Sequence, residues 1–98
     1  MSELRDLVIT YFKGVDEENL ELILSTLHTD CLFSVETHNV CLKGHTEITD
    51  MFLRLWSNHA SVIHDQFHFV QGRAGREIAV RFQVTNKQLD GTFVYKSN

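Results

Sequence analysis

Apolar residues recur at three- and four-residue spacing through the first half of the chain and at two-residue spacing through the second. Leu4, Leu7, Val8, Tyr11, Phe12 and Val15 predict one amphipathic helix, and Leu20, Ile23, Leu24 and Leu27 a second. Ile48, Met51, Phe52, Leu55 and Trp56 predict a third. Ser2 is the expected cap of the first helix, with Glu3 and Asp6 at the positive end of its dipole. Asp16 is the expected cap of the second, reinforced by Glu17, Glu18 and Glu21. Between these helices and the third, residues 31–36 and 40–42 alternate as a hairpin about Thr37-His38-Asn39, with Phe33 and Val35 on one face. Lys43-Gly44 ends it. From Ser61 the period is two, which places Ile63, Asp65, Phe67 and Phe69 on one face and His64, Gln66, His68 and Val70 on the other. Ile78, Val80, Phe82 and Val84 then alternate with polar neighbours, Asp90-Gly91 turns the chain, and residues 92–96 form a last strand.

A helical half leading into a β half predicts a single α+β domain over residues 1–98, its helices stacked on one face of a sheet. Such a layout leaves a cavity between its layers, where small apolar ligands usually bind. The sequence therefore describes a container before it describes a reaction.

Composition narrows the partners. A hydrophobic share of 43% and a charged share of 22% are those of an ordinary globular chain. No apolar run approaches the roughly 20 residues that span a bilayer, so no membrane association is expected. The polar, acidic start lacks the basic and apolar regions of a signal peptide, which predicts the cytoplasm and reduced thiols. With a turn at His38-Asn39, Cys41 falls opposite Glu36 and beyond reach of Cys31, and both cysteines are expected as small buried hydrophobes. The net charge of −4 divides into −7 over residues 1–50 and +3 over 51–98. Arg73, Arg76, Arg81 and Lys87 are too thin a scatter for a nucleic-acid surface.

Chemistry-bearing residues are few. His64 and His68 on one strand stand about 13 Å apart, too far to share a metal ion. Metal and cofactor motifs are lacking, so neither a metal nor a cofactor is expected. Thr46, after Gly44, suits a helix cap or an anion at free N–H groups. Asp65 shares its expected face with Ile63, Phe67 and Phe69, and a carboxylate among apolar groups suits a general acid or base. A wet position near the start of the strand is the favoured reading of it. Phe12, Phe33, Phe52, Trp56, Phe82 and Tyr95 are pocket wall or core filling, which periodicity does not separate.

Tyr11-Phe12, the break at residues 16–20, Leu27-His28-Thr29-Asp30-Cys31-Leu32-Phe33, Lys43-Gly44 and the Ile48–Phe52 helix together resemble the SnoaL-like group of the nuclear-transport-factor-2-like superfamily. The resemblance spans nearly the whole chain, and it rests on order and spacing more than on any one motif. It implies a cystatin-like α+β roll, a cone of strongly curved, mostly antiparallel sheet wrapped around three helices, commonly dimeric and with a hydrophobic pocket inside. It also sets Tyr11 at the place of the tyrosine that donates to the oxyanion in ketosteroid isomerases. Their general-base aspartate is replaced by Val35, and one further strand is expected after the strand ending near Lys96. Either a second subunit covers that gap or the chain is truncated.

Three functions follow as expectations. The first is a homodimeric binder of a small apolar molecule, its pocket lined by Phe12, Phe33, Val35, Phe52, Trp56, Ile63, Phe67, Val80, Phe82 and Tyr95. Its dimer contact is the outer sheet face of His64, Gln66, His68, Arg81 and Gln83. The second is an acid/base enzyme on a carbonyl compound, with Tyr11 and Asp65 catalytic. The third is an association module with a filled cone.

Overall fold

The computed structural model describes residues 3–98, the side chains of Thr37 and Ala74 excepted. Ser2 and its expected cap lie outside the described residues. Helix α1 runs Glu3–Asp16 and α2 Leu20–Ser25, followed by the strands β1 Leu32–Val35 and β2 Val40–Lys43. Helix α3, Gly44–Ser57, leads into β3 His59–Gln71, β4 Ile78–Gln88 and β5 Phe93–Ser97. The strands form an antiparallel β1–β2 hairpin and an antiparallel β3–β4–β5 sheet. The architecture is α+β, with helices against a curved antiparallel sheet: the change of period predicts the two halves, and the resemblance the curvature.

The helices meet at Val15, Ile23, Ile48 and Phe52, each nearly or wholly inaccessible. Trp56 closes this junction by donating its indole N–H to the Val15 carbonyl at 3.1 Å, while its ring stacks on Phe52 at 5.7 Å. Asp16 is not the cap of α2. The first helix continues through Asp16, Glu18 takes the left-handed region at φ 54°, and Asn19 accepts the Leu22 N–H at 3.1 Å. Capping therefore falls to the residue three before Leu22, and the Asp16 carboxylate is left for another partner.

Gly14 is where α1 and α2 approach most closely. A Cβ there would lie 2.7 Å from Ile23 Cγ1 and 3.0 Å from the Ile23 nitrogen. The Gly14→Ala variant is expected to lose about 1–3 kcal/mol to overpacking, more than the ~1 kcal/mol that alanine gains in a helix. Urea denaturation measures the difference, and a stabilised variant would show that the crossing is loose.

In the hairpin, Ser34 faces Cys41 and Val35 faces Val40. Cys41 is thus opposite Ser34, not Glu36, because a short 3-10 turn over Glu36–His38 and a left-handed Asn39 (φ 53°) lengthen the connection. Cys41 is exposed and Cys31 half-buried, so only Cys31 approaches the expected setting; both are free thiols. Thr46 does not cap α3. The Lys43 N–H instead donates to Glu47 Oε1 at 2.8 Å, and the Gly44 N–H to the Cys31 carbonyl at 2.9 Å.

The decisive departure from simple alternation lies in β3. Its register on β4 runs Ser61↔Lys87 to Asp65↔Gln83, then resumes at His68↔Arg81 and continues to Gln71↔Ile78. Gln66 and Phe67 on β3 thus stand opposite Phe82 alone on β4, a bulge in which Gln66 is left-handed at φ 56°. A residue with a Cβ costs roughly 1–2 kcal/mol in that conformation. A second irregularity stands at Ala60, between His59↔Gln88 and Ser61↔Lys87. Residues 61–65 therefore keep their own phase. Val62 and His64 turn inward, while Ile63 and Asp65 turn outward, the reverse of what unbroken alternation predicts. Phe67 and Phe69, beyond the bulge, lie inward as expected.

Candidate functional site: an apolar cavity and an acid–base pair

The α1 stripe outruns the helical core toward its N-terminus. Leu4, Leu7, Val8 and Tyr11 there form one wall of an open cavity of about 350 Å³, completed by Thr26, Leu27, Phe33 and Ile78. Polar atoms are almost lacking from this wall. The Thr26 hydroxyl is already bound to the Ile23 carbonyl at 2.7 Å. The Tyr11 hydroxyl has no hydrogen-bond partner among the described residues. Its ring is wedged among Phe12, Phe52 and Phe33, with centroids at 4.9, 6.2 and 6.3 Å. Burial pushes the phenol well above its ordinary range, so it remains a protonated donor at neutral pH.

On the next face of α1, the freed Asp16 meets β3. Its Oδ2 accepts the His64 backbone N–H at 2.9 Å, and its Oδ1 lies 2.6 Å from His64 Nδ1. The His64 and Asp16 side chains are only 10% and 18% exposed, so the pair is shielded from water on most sides. Two-point attachment fixes the imidazole plane. A carboxylate at Nδ1 keeps the proton there and leaves the Nε2 lone pair available. Nε2 has no partner among the described residues. The ring packs on Phe12 at 4.6 Å and Phe82 at 5.2 Å. Phe12 touches both Tyr11 and His64 and stands between the cavity and the pair.

The expected pocket residues separate into wall, filling and surface. Phe33 lines the cavity. Phe52 and Trp56 are filling, packed into the helical core, and Phe12 is buried against the sheet. Phe67 and Phe82 pack with Phe12 beside His64, and Val35 and Val80 are half-buried away from the cavity wall. Ile63 and Tyr95 are on the outer face, 44% and 71% exposed, because each stands opposite Thr85 in the ladders. Asp65 is exposed opposite Gln83, so no interior carboxylate stands where that residue was expected. Of the expected outer-face set, Gln66, His68, Arg81 and Gln83 are exposed, but His64 is inside.

Sequence reasoning missed the wall residues Leu4, Leu7, Val8, Leu27 and Ile78, although all but Ile78 sit on the helical stripes it found. It also missed Asp16, whose position before the acidic break fits a cap as well as a partner. His45 is used structurally, its Nε2 3.0 Å from the Leu27 carbonyl. No group of three or more His, Cys, Asp or Glu suited to a metal ion occurs among the described residues. None of the described helices is long and apolar enough to cross a membrane.

No protein-family model matches the chain, and no curated protein does. Solved structures do. TerC, co-crystallized with polyporic acid, superposes with a TM-score of 0.81 at 17% identity over 94% of this chain and 74% of TerC. A protein assigned as a SnoaL-like polyketide cyclase from Shewanella putrefaciens CN-32 gives 0.79 at 16% identity, over 99% of this chain and 74% of that one. An NTF2-like protein of unknown function from Exiguobacterium sp. 255-15 gives 0.77 at 15% identity, over 93% and 80%. At such identities the likeness is one of backbone, and it agrees with the order of helices, hairpin and strands read from the residues. The chain has the cone fold of the SnoaL-like and NTF2-like proteins.

Proposed function

We propose that the protein binds a small, mostly apolar, uncharged molecule carrying one hydrogen-bond acceptor. The observation that carries this reading is an apolar cavity of about 350 Å³ lined by Tyr11, whose hydroxyl has no hydrogen-bond partner among the described residues. An apolar cavity of ~150 Å³ holds benzene, so this one suits a molecule of about two rings. No charged side chain among the described residues lines it, so none of them offsets the desolvation of an ionic ligand. TerC, with the same fold, was crystallized with a small organic molecule. The exposed residues Ile63, Phe93 and Tyr95 support a homodimer through their end of the outer sheet face, away from the bulge at Gln66.

The bicyclic ketone 2-tetralone and its carbonyl-free counterpart tetralin test the role of Tyr11. Tyr11→Phe is expected to weaken 2-tetralone binding about tenfold, equal to ~1.4 kcal/mol, and to leave tetralin unchanged. Equal affinities of both proteins for the ketone in calorimetry reject Tyr11 as the anchor.

The Asp16–His64 pair favours a second reading, an acid/base enzyme in which His64 carries the proton at Nε2 and Asp16 holds the ring. It replaces Asp65 as the proton-transfer group. Phe12 stands between the cavity and the pair, so this reading requires its ring to swing aside. Exchange of the α-protons of 2-tetralone in heavy water is then expected to be catalysed by the protein and lost in His64→Gln. Exchange no faster than in buffer rejects this chemistry for such ketones.

A further inference from the structure

The bulge at Gln66 is not needed to aim either of its flanks. Asp65 faces Gln83 and His68 faces Arg81, so deleting Gln66 would join two segments whose faces already agree. The extra residue, held left-handed without being glycine, must be read for what it opens. It opens a cleft of about 400 Å³ where the β3–β4 ladder is interrupted. Gln66, His68, Arg81, Gln83 and Ser97 bring polar side chains to it. None of the five side chains makes a hydrogen bond or ion pair among the described residues. Arg81 and His68 stand directly opposite one another, two potential cations with no anion between them. Like charges so placed weaken a sheet, so the pair contributes nothing to the fold by itself.

From these features we propose that the bulge cleft is a binding site for a small organic anion, a carboxylate or phosphate monoester, separate from the apolar cavity. Arg81 offers a planar fork of donors matched to either group. The amides of Gln66 and Gln83, the Ser97 hydroxyl and a ring nitrogen of His68 surround it with further donors. Asp65 shares the outer face beside Gln83 but does not line the cleft, which places the anion on the Arg81–His68 side. The volume suits a molecule of a few carbons, not a polymer.

Backbone and side-chain NMR titration with succinate, and separately with phenyl phosphate, at constant ionic strength tests the site. Saturable shifts confined to Gln66, His68, Arg81, Gln83 and Ser97 are expected. Arg81→Gln should weaken binding at least tenfold. Deletion of Gln66 should abolish binding while the signals of Tyr11, Asp16 and His64 stay in place, which separates loss of the cleft from loss of the fold. A response to one probe alone names the anion class. Shifts that do not saturate, that spread equally over Arg73 and Lys87, or that survive Arg81→Gln overturn the proposal. A cleft protected by a second copy of the chain, with succinate unable to enter, overturns it as well.

Discussion

Replacing Asp16 with alanine is expected to cost about 2–4 kcal/mol of stability, since a shielded backbone N–H and an imidazole N–H lose their shared acceptor at once. The group left behind matters more than the contact removed. His64 is 10% exposed and packed on Phe12 and Phe82, so water replaces the carboxylate only if the strand moves. In a domain of this size each kcal/mol lowers the melting temperature by roughly 4–8 °C. Asp16→Asn, which retains an acceptor of the same shape, should lose distinctly less. Thermal denaturation measures both variants, and the low-field Nδ1 proton of His64 reports the pair itself. An alanine variant within about 0.5 kcal/mol of the parent would mean that the pair is decorative. Under the acid/base reading, both variants also lose proton exchange, the asparagine variant without a comparable loss of stability.

The Phe12→Ala variant is expected to cost about 3–5 kcal/mol, as large-to-small changes of buried aromatics do. Phe12 is 9% exposed and touches Tyr11, His64, Phe67 and Phe82, so no single neighbour can fill the space. The change should also join the apolar cavity to the space around the imidazole. Calorimetry with 2-tetralone distinguishes the two effects: at a temperature where the variant is folded, its ligand capacity should extend to larger ketones. A loss below 1 kcal/mol would show that the aromatic cluster repacks. Phe12→Leu keeps most of the volume and should retain most of the stability.

The helices and the hairpin were legible because their apolar residues bury one face continuously, and burial leaves a periodic trace. The side-chain facing of β3 was not legible for a physical reason. Ile63, Asp65, Phe67 and Phe69 form an unbroken alternating set, and alternation alone does not register an inserted residue. Gln66 carries no sign of its left-handed backbone, which glycine or asparagine would have signalled. That one residue exchanged the fates of His64 and Asp65, and with them the candidate proton-transfer group. Asp16 was hidden differently: an aspartate at the end of a helix and before three acidic residues has two chemically sound uses. Tyr11 was found from the stripe and from the resemblance, but the cavity it lines depends on how far α1 stands from Leu27, Phe33 and Ile78. Spacing does not state a distance between elements.

Asp16 also bears on how the chain behaves in concentrated solution. β3 is the terminal strand of the three-stranded sheet, thirteen residues long, and the His64 N–H points to Asp16 instead of entering the β4 ladder. A long strand with free donors along its outer side is a template for another sheet. The carboxylate occupies one such donor near the middle of that side and sets a negative charge beside it. Variants lacking Asp16 are therefore expected to aggregate through β3 at protein concentrations the parent tolerates, as well as to lose the His64 contact.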